Sequence, residues 1–397
     1  MPDHIDITKV RNDTPGTREV IHLNNAGAAL MPKPVIDATI GHLQLEAMIG
    51  GYEAADQAEA QIEGTYRSIG RLIGAAPDEI AVVENATRAF DMAFYAIPFQ
   101  PGDRILTSMA EYASNVISYY QVAKKTGAVV EVVPNDESGQ LSVGALREMI
   151  DERVKLIALS HIPTSGGLVQ PAAEIGKVAQ EAGVLYLLDA CQSVGQLPVD
   201  VNEIGCDMLS ATSRKFLRGP RGVGFLYVRK ELAQQLEPPF LDLQAATWTS
   251  LDDYEIRPDT RRFENWEANI AGKIGMGVAA EYAMEIGIEA GWARVQQLAD
   301  GLRQRIDAIP GCAVHDLGAT RCGIVSFAVD GYDPEDVMQR LAEHRINVRT
   351  STVFSTRFDM TARGIDHLVR ASVHYYNTAY ELDQTAEVLA SIVKARA

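Results

Sequence analysis

The feature that most constrains this chain is a regular alternation of short apolar segments with amphipathic helices between about residues 60 and 230. The apolar segments are rich in Val, Ile and Leu and are bounded by turn residues, as strands are. The segments between them have apolar residues at helical spacing, and some stop at a glycine, as at Gly127 and Gly183. Buried strands that alternate with helices predict a mostly parallel sheet covered by helices on both faces, an α/β fold.

The pattern changes after residue 230. Residues 230–265 are rich in proline, polar and aromatic residues, and the segment 245–270 matches no regular element. Helices and strands then resume in a different arrangement to the end of the chain. We therefore predict a large domain at residues 31–260 and a smaller α+β domain formed by residues 1–30 and 261–397.

The net charge, the apolar runs and the cysteines limit which partners, compartments and kinds of site the sequence suits. The net charge of −17 argues against nucleic acid or an anionic membrane as a partner. The sequence contains no apolar run near the roughly 20 residues that span a bilayer, and its first residues are polar, unlike a secretory signal. Four scattered cysteines fit neither a disulfide framework nor a zinc site, and they suit a reducing cytoplasm: Cys191, Cys206, Cys312 and Cys322. No metal is expected.

Ligands of parallel α/β sheets bind beyond the carboxyl ends of the strands. Polar residues follow the predicted strands at five places: Glu84–Thr87, Ser108–Asn115, Ser160-His161, Asp189–Gln192 and Thr212–Lys215. Together these residue types suit pyridoxal 5′-phosphate. That cofactor needs a lysine for its Schiff base, a carboxylate for its ring nitrogen, a stacking side chain, a phosphate site and an arginine for the substrate carboxylate.

Two of these residues have plain structural alternatives. Asp189 ends the most apolar predicted strand, where a buried carboxylate needs a cation such as a protonated pyridine nitrogen, or it caps the following turn. Lys215 is either the Schiff-base lysine or a solvated surface charge. Its position after Thr212 and before the Gly-Pro-Arg-Gly loop favours the first interpretation.

The stretch "ENATRAF" places a strand end directly before a helix. The backbone N–H groups of Ala86 and Thr87 would then point at an anion, and Thr87 adds a hydroxyl group. The alternative is an ordinary helix N-cap made by Asn85.

With these motifs the sequence resembles the class V aminotransferase group of fold-type I pyridoxal-phosphate enzymes, over nearly the whole chain from "HLNNAGAALMP" to "VRASVHYYNTAYELD". This group includes cysteine desulfurases, selenocysteine lyases and isopenicillin N epimerase. The resemblance rests on four motifs: the "DACQ" that begins at Asp189, the "TSRK" that ends at Lys215, the "GPRG" loop after it, and the "RAS" that begins at Arg370. The motif around Lys215 is most similar to the hercynylcysteine sulfoxide lyase and epimerase branches.

The resemblance implies a seven-stranded type of sheet, a homodimer, an amino-acid substrate and roles for particular residues. The cofactor-binding residues implied are Ala86, Thr87, Tyr112, Asp189, Gln192, Thr212, Arg214 and Lys215. Asn25, Ala26 and Arg370 would contact the substrate, and His161 would lie near the phenolic oxygen of the cofactor. Tyr112 stands where relatives often have a stacking histidine, and the alternative for it is a core aromatic. Lys215, Tyr112 and His161 are the candidate catalytic residues.

One departure bears on the reaction. Cysteine desulfurases carry a nucleophilic cysteine on a loop shortly before the carboxylate-binding arginine, and here the loop from Arg349 to Arg370 has Phe354 and Ser355 instead. We therefore expect a lyase that cleaves a C–S bond in a cysteine-derived amino acid without a persulfide cysteine. An amino-acid epimerase, an aminotransferase and a non-catalytic binding module with the same fold remain alternatives.

Overall fold

The structure is a computed structural model that describes residues 5–395. The longer helices run over Lys33–Ile49 (α2), Gly51–Gln57 (α3), Glu59–Ile73 (α4), Ala86–Phe94 (α5), Ala113–Thr126 (α6), Val143–Met149 (α7), Ala172–Ala182 (α8), Ile270–Ile286 (α11), Ile288–Asp307 (α12), Pro334–Glu343 (α13) and Ala379–Lys394 (α15). Short helices lie at Ile7–Asn12 (α1), Val201–Ile204 (α9), Lys230–Ala233 (α10) and Arg357–Ala362 (α14). None of the described helices is both long and apolar enough to cross a bilayer.

The strands are Ile21–His22 (β1), Ile80–Val83 (β2), Arg104–Thr107 (β3), Val129–Val132 (β4), Val154–Ser160 (β5), Leu185–Asp189 (β6), Met208–Thr212 (β7), Gly224–Val228 (β8), Ala246–Trp248 (β9), Tyr254–Ile256 (β10), Cys312–Val314 (β11), Ile324–Val329 (β12), Ile346–Asn347 (β13), Arg349–Thr352 (β14) and His367–Ser372 (β15). Three 3-10 helices complete the described elements, at Pro15–Arg18, Pro77–Glu79 and Thr260–Phe263.

The main sheet has seven strands in the order β2-β8-β7-β6-β5-β3-β4, and β8 alone runs antiparallel to its neighbours. Its central strands β5, β6 and β7 are buried at all but one residue each in β5 and β6, because helices cover both faces. The α8 helix ends at Gly183, which has a φ of +66° and therefore adopts the left-handed conformation that glycine accepts readily. The predicted mostly parallel sheet and α/β fold class are confirmed.

A second sheet has four antiparallel strands in the order β11-β12-β15-β14. One face carries Phe327, Val369 and Ala371 into an apolar cluster with α12, α13 and α15. Residues Ile5, Val10 and Leu23 from the start of the chain join that cluster. This packing brings the beginning and the end of the described chain together around one core.

The structure differs from the sequence interpretation in two elements. The segment 245–270, expected to contain no regular element, contains the β9–β10 hairpin, a 3-10 helix and the start of α11. Residues 346–352, whose sequence INVRTST predicts one strand, are divided into two, because β13 pairs with β1 and β14 pairs with β15. The division of residues 346–352 depends on strand partners from other parts of the chain, which local periodicity does not report, whereas the β9–β10 hairpin forms within residues 246–256.

The α11 helix, placed in the smaller domain from the sequence, packs on α2 and α4. Met276, Ala279 and Ala280 belong to the apolar cluster beneath the main sheet, whereas Tyr282 and Ile286 belong to the other cluster. The helix therefore connects the two cores. The proposed division into domains stays a prediction, and residues 1–4 and 396–397 of it lie outside the described residues.

Candidate active site

A cavity lies at the carboxyl ends of β5, β6 and β7, beside the first residues of α5 and α6. Its walls are formed by Ala86, Thr87, Tyr112, Asn115, Ser160, Ile162, Thr164, Asp189, Cys191, Gln192 and Lys215. Six of the residues predicted from the sequence are therefore brought together: Ala86, Thr87, Tyr112, Asp189, Gln192 and Lys215. The location agrees with the general rule for ligand sites of open α/β sheets.

Asp189, the last residue of β6, is 7% exposed. Its Oδ1 accepts a hydrogen bond from the Cys191 backbone N–H at 2.9 Å, and its Oδ2 accepts one from Asn115 Nδ2 at 3.0 Å. Oδ1 of Asp189 therefore caps the following turn, as the alternative interpretation predicted. No cation of the described chain forms an ion pair with this carboxylate, so it meets the requirement for a group that faces a positively charged ring nitrogen.

Lys215 lies in the cavity wall after β7, not on the open surface. Enclosure lowers the pKa of its amine, an effect that the nearby Asp189 opposes. Within residues 5–395 no hydrogen bond or ion pair holds the amine. A lysine with a lowered pKa has a larger fraction of neutral amine, which is the form that attacks a carbonyl group or accepts a proton.

The first turn of α5 forms one end of the cavity. Asn85 Oδ1 accepts from the Arg88 N–H at 2.9 Å, so the N-cap alternative is correct, and the N–H groups of Ala86 and Thr87 stay outside the helical hydrogen bonds. A Cβ atom at Gly224 of β8 would lie 3.1 Å from the Ala86 nitrogen. The glycine thus permits the close approach that holds this helix terminus at the cavity.

Arg214 and Thr212 lie on the segment that precedes Lys215. Thr212 is the buried last residue of β7. Arg214 donates a hydrogen bond to the carbonyl oxygen of Gly27, forms no ion pair with any described carboxylate, and has its pKa lowered by burial. A partly enclosed guanidinium without an acidic partner, together with the α5 terminus, suits an anion such as phosphate.

Arg370, in β15, is 9% exposed. Its Nη1 donates to the carbonyl oxygen of Thr164 at 2.9 Å and to Thr164 Oγ1 at 2.7 Å, whereas its Nε has no hydrogen-bond partner in the described chain. Burial, with smaller effects of Arg214 and Arg349, lowers the pKa of Arg370 to about 10. The guanidinium remains charged at neutral pH and has donors left for a carboxylate.

Tyr112 is the N-cap of α6 and is 37% exposed, so the core-aromatic alternative is wrong. Its backbone N–H donates to Glu111 Oε1 at 2.7 Å, which fixes the chain while the ring lines the cavity. Its position suits stacking on a planar ligand. The stacking role itself stays a prediction.

Three residues that were predicted to contact the cofactor or the substrate do not line the cavity: His161, Asn25 and Ala26. His161 is buried and is not part of the cavity wall, where Thr164 is found instead. Asn25 uses both amide hydrogens on the carbonyl oxygens of Ser372 and His22. The Ala26 N–H donates to Ser372 Oγ, and its carbonyl oxygen accepts from Gln192. Asn25 and Ala26 thus connect the start of the chain to β15, and their contact with substrate stays a prediction.

Sequence reasoning missed the roles of Glu111 and Asn115. Glu111 is 1% exposed and accepts hydrogen bonds from Thr107, Tyr112, Ser160 and Asn115. Burial, with a contribution from Asp189, raises its pKa to about 7. Asn115 Nδ2 donates to both Glu111 and Asp189, at 3.0 Å each. The available signal was a carboxylate just before a predicted helix and an amide in its first turn, which lie close enough for the two side chains to meet.

The fold and the cavity together define the class of protein: an enzyme of fold type I, the class that uses pyridoxal 5′-phosphate. The donors fit that group, because the cavity combines a carboxylate that no described cation pairs with, an enclosed lysine and a helix N-terminus, which are the kinds of group that its ring nitrogen, aldehyde and phosphate need. The chain belongs to the aminotransferase class-V family, whose sequence profile matches residues 21–385.

Comparisons with known proteins agree. A probable cysteine desulfurase of Pyrococcus abyssi is 32% identical over 97% of both chains. One of Methanothermobacter thermautotrophicus is 31% identical over 96% of this chain and 97% of its own. The apo structure of the cysteine desulfurase from Thermococcus onnurineus superposes with a TM-score of 0.92 at 29% identity, covering 99% of each chain. The predicted family, fold type, enzymatic nature and cofactor are confirmed, while the branch within the family stays a prediction.

Proposed function

We propose that this enzyme is a C–S lyase that cleaves a cysteine-derived amino acid by β-elimination, without forming a persulfide on the protein. The C–S bond is suggested by the relatives, which are named cysteine desulfurases. The observation that carries the proposal is the loop between Arg349 and Arg370, which contains no cysteine. This loop reaches the site, since the Ser355 carbonyl oxygen accepts from the Ala113 N–H, beside Tyr112, at 2.9 Å.

Burial disfavours the thiolate form of the cysteines elsewhere in the chain. Burial raises the pKa of all four thiols, to about 11 for Cys312 and about 12 for Cys322, and further for Cys191 and Cys206. A thiol that keeps its proton does not attack sulfur well. Cys191 lines the cavity together with Lys215, but Asp189 adds to the effect of burial in raising its pKa.

The residues of this chain would divide the work as follows. Lys215 would hold the cofactor covalently, Asp189 would face its ring nitrogen, and the α5 terminus with Thr212 and Arg214 would bind its phosphate. Bound pyridoxal phosphate supplies an electron-accepting ring that makes the proton on the substrate Cα acidic. Arg370 would hold the substrate carboxylate, which turns the Cα–H bond toward Lys215.

The reaction balances without an oxidant. Binding of the substrate amino group would release the Lys215 amine from its covalent link. The freed neutral amine would take the Cα proton, the sulfur at Cβ would leave as a thiolate with the C–S electron pair, and the thiolate would take a proton to become a thiol. One water molecule hydrolyses the remaining enamine to pyruvate and ammonia. The substituted cysteine and one water thus give a thiol, pyruvate and ammonia.

The test is to incubate the holoenzyme with excess cysteine or an S-substituted cysteine and to analyse products and protein mass. We expect pyruvate and thiol or sulfide, with no mass gain on the protein. A reversible gain of one sulfur together with alanine release would contradict the proposal and support a desulfurase. Recovery of the inverted amino acid would support an epimerase, and an oxo acid that retains the sulfur would support an aminotransferase. Lys215→Ala, without the covalent cofactor link, is the inactive control.

We also propose that the enzyme works as a homodimer in the cytoplasm. Four free cysteines suit a reducing compartment. Large apolar side chains are exposed around one groove: Leu43, Tyr52 and Trp266 are 51%, 74% and 53% exposed. A contiguous exposed apolar surface marks an interaction site, and two-fold dimers are the commonest oligomers.

A further inference from the structure

Arg349 lies directly beside Arg370 on the smaller sheet. The two residues are paired across the antiparallel strands β14 and β15, and Ser326 of β12 is paired with Arg370 on its other side. Side chains paired in this way project from the same face of a sheet, with Cβ atoms about 5 Å apart. Ser326, Arg370 and Arg349 therefore form one row.

This row faces the large domain. The intervening residues Val369 and Ala371 of β15 enter the apolar cluster on the opposite face of the sheet. Ser326 Oγ donates to the Ser165 carbonyl oxygen at 2.7 Å, and Arg370 contacts Thr164. Both partners lie on the loop that follows β5 of the main sheet. Arg349 therefore lies on the same face as Arg370, on the edge strand β14.

No described carboxylate neutralises the charge of either arginine. Across residues 5–395, neither Arg349, Arg370 nor the nearby Arg214 forms an ion pair with a carboxylate, although the whole sequence has 53 acidic and 36 basic residues. Asp359, close in sequence, is paired with Arg363. Like charges directly opposite on a sheet destabilise it. Burial is the main cause of the lowered pKa of Arg370, and repulsion from Arg214 and then Arg349 adds to it.

One carboxylate cannot satisfy both guanidinium groups in full. Arg370 is buried and donates to Thr164 of the cavity wall, which suits the substrate α-carboxylate, whereas the Arg349 side chain is exposed and has no hydrogen bond among the described residues. We propose that Arg349 binds a second anionic group, a carboxylate or sulfonate, on the sulfur substituent of the substrate. The substrate class would then be S-substituted cysteines with an acidic substituent. This inference rests on the proposed function.

The first experiment compares two nearly isosteric substrates of the holoenzyme, S-carboxymethylcysteine and its amide, S-carbamoylmethylcysteine. Pyruvate release gives kcat/KM for each. A charge-assisted pair predicts roughly a tenfold preference for the acid, mainly through KM. Arg349→Gln should reduce this preference to about twofold or less, and Arg349→Lys should retain part of it. Arg340→Gln, an equal charge change on the exposed face of α13, is the matched control and should keep the parent ratio.

The second experiment separates binding from cleavage. L-2-aminoadipate has CH2 in place of the sulfur of S-carboxymethylcysteine and carries no β-leaving group, so its binding is independent of elimination. Its dissociation constant, and that of its side-chain amide, come from the change in cofactor absorbance on titration. Cysteine S-sulfonate, compared with S-methylcysteine by pyruvate release, tests the sulfonate as the acidic group.

The outcomes distinguish the two proposals. Tighter binding of aminoadipate than of its side-chain amide, lost in Arg349→Gln, would support the acidic subsite. Failure of every substrate to release pyruvate would contradict only the lyase proposal. Equal affinities for acid and amide in the parent enzyme would overturn the subsite. An unchanged preference in Arg349→Gln would also overturn it.

Discussion

At the scale of single residues, the site is built from groups whose polar atoms are largely committed before any ligand binds. Asp189 has one oxygen in the turn and the other on Asn115, and Arg370 has one nitrogen on Thr164. Such fixed partners reduce the reorganisation that binding would otherwise require. Substitution of a residue that holds a binding group should therefore weaken ligand binding, as substitution of the binding group itself does.

Asn115→Ala removes the donor that orients Asp189. We expect the dissociation constant of pyridoxal phosphate to rise roughly tenfold, because a hydrogen bond to a charged group is lost in a buried place. Absorbance titration of the cofactor-free protein measures this value. Ile117→Ala, an exposed position on the same helix, is the control and should bind normally. Unchanged affinity in Asn115→Ala, with a strong loss in Asp189→Ala, would show that Asn115 does not act through Asp189.

His161 predicts a pH dependence of stability. Burial lowers its pKa from 6.5 to about 4, so between these values the unfolded chain binds a proton that the folded protein does not. Its contribution to the free energy of unfolding is present above pH 6.5 and is lost as the pH falls toward 4, by about 2 to 3 kcal/mol. His161→Gln should lose correspondingly less stability between pH 7 and pH 4, as measured by urea unfolding.

The control for this comparison is His344→Gln, which changes an exposed histidine. It should lose stability with falling pH as the parent does. Parallel curves for the parent and His161→Gln would mean that His161 binds its proton equally in both states.

At the scale of elements, the site depends on how closely the start of α5 approaches β8. A Cβ at Gly224 would lie 2.6 Å from the Ala211 carbonyl oxygen and 3.0 Å from the Asn85 carbonyl carbon. These are backbone atoms of β7 and of the α5 N-cap, which cannot rotate away as a side chain can. The distance between the α5 terminus and the main sheet is therefore set by Gly224, which does not itself line the cavity.

Gly224→Ala should displace α5 from β8. We expect a loss of about 1 to 3 kcal/mol in the free energy of unfolding, typical of overpacking, and weaker binding of pyridoxal phosphate. Gly41→Ala is the control, because it lies in α2 with no atom within 4 Å of its added Cβ. That variant should be neutral or slightly more stable. Equal stability of Gly224→Ala and the parent would show that the two elements separate easily.

At the scale of the whole molecule, the two apolar cores meet along the cavity. The loop after β5 contacts the smaller sheet repeatedly, since the Gly167 N–H donates to Asp316 and Thr356 donates to Ser165. Asp316 is held in turn by Arg303 at 2.7 Å, with both side chains buried. This loop also carries Thr164, so the position of Arg370 relative to Lys215 depends on the packing of both cores.

The proposed homodimer predicts that a charge in the groove of Leu43, Tyr52 and Trp266 weakens association. Leu43→Glu should shift the enzyme toward monomer at micromolar concentration, because a carboxylate would be desolvated at the interface. Sedimentation velocity measures the change. Tyr380→Glu, an exposed aromatic position on α15, is the control. A parent enzyme that is monomeric and fully active would contradict the dimer.

Local sequence signals determined most of the fold and part of the site. The apolar runs predicted the strands, Gly127 and Gly183 predicted helix ends, and polar residues after the strands located Asp189 and Lys215 at one cavity. These predictions succeed because they depend on signals within a few residues: the periodicity of strands and helices, the conformation of glycine, and polar residues at the strand ends that share one edge of a parallel sheet.

Only the tertiary structure decided which side chains meet across distant segments. It placed Thr164 rather than His161 in the cavity wall, committed the Asn25 amide to Ser372, and set Arg349 opposite Arg370. It also joined residues 246–256 into a hairpin where the sequence indicated none. Register and long-range pairing depend on the packing of the whole core, and a shift of one residue in β14 would move Arg349 to the other face of its sheet.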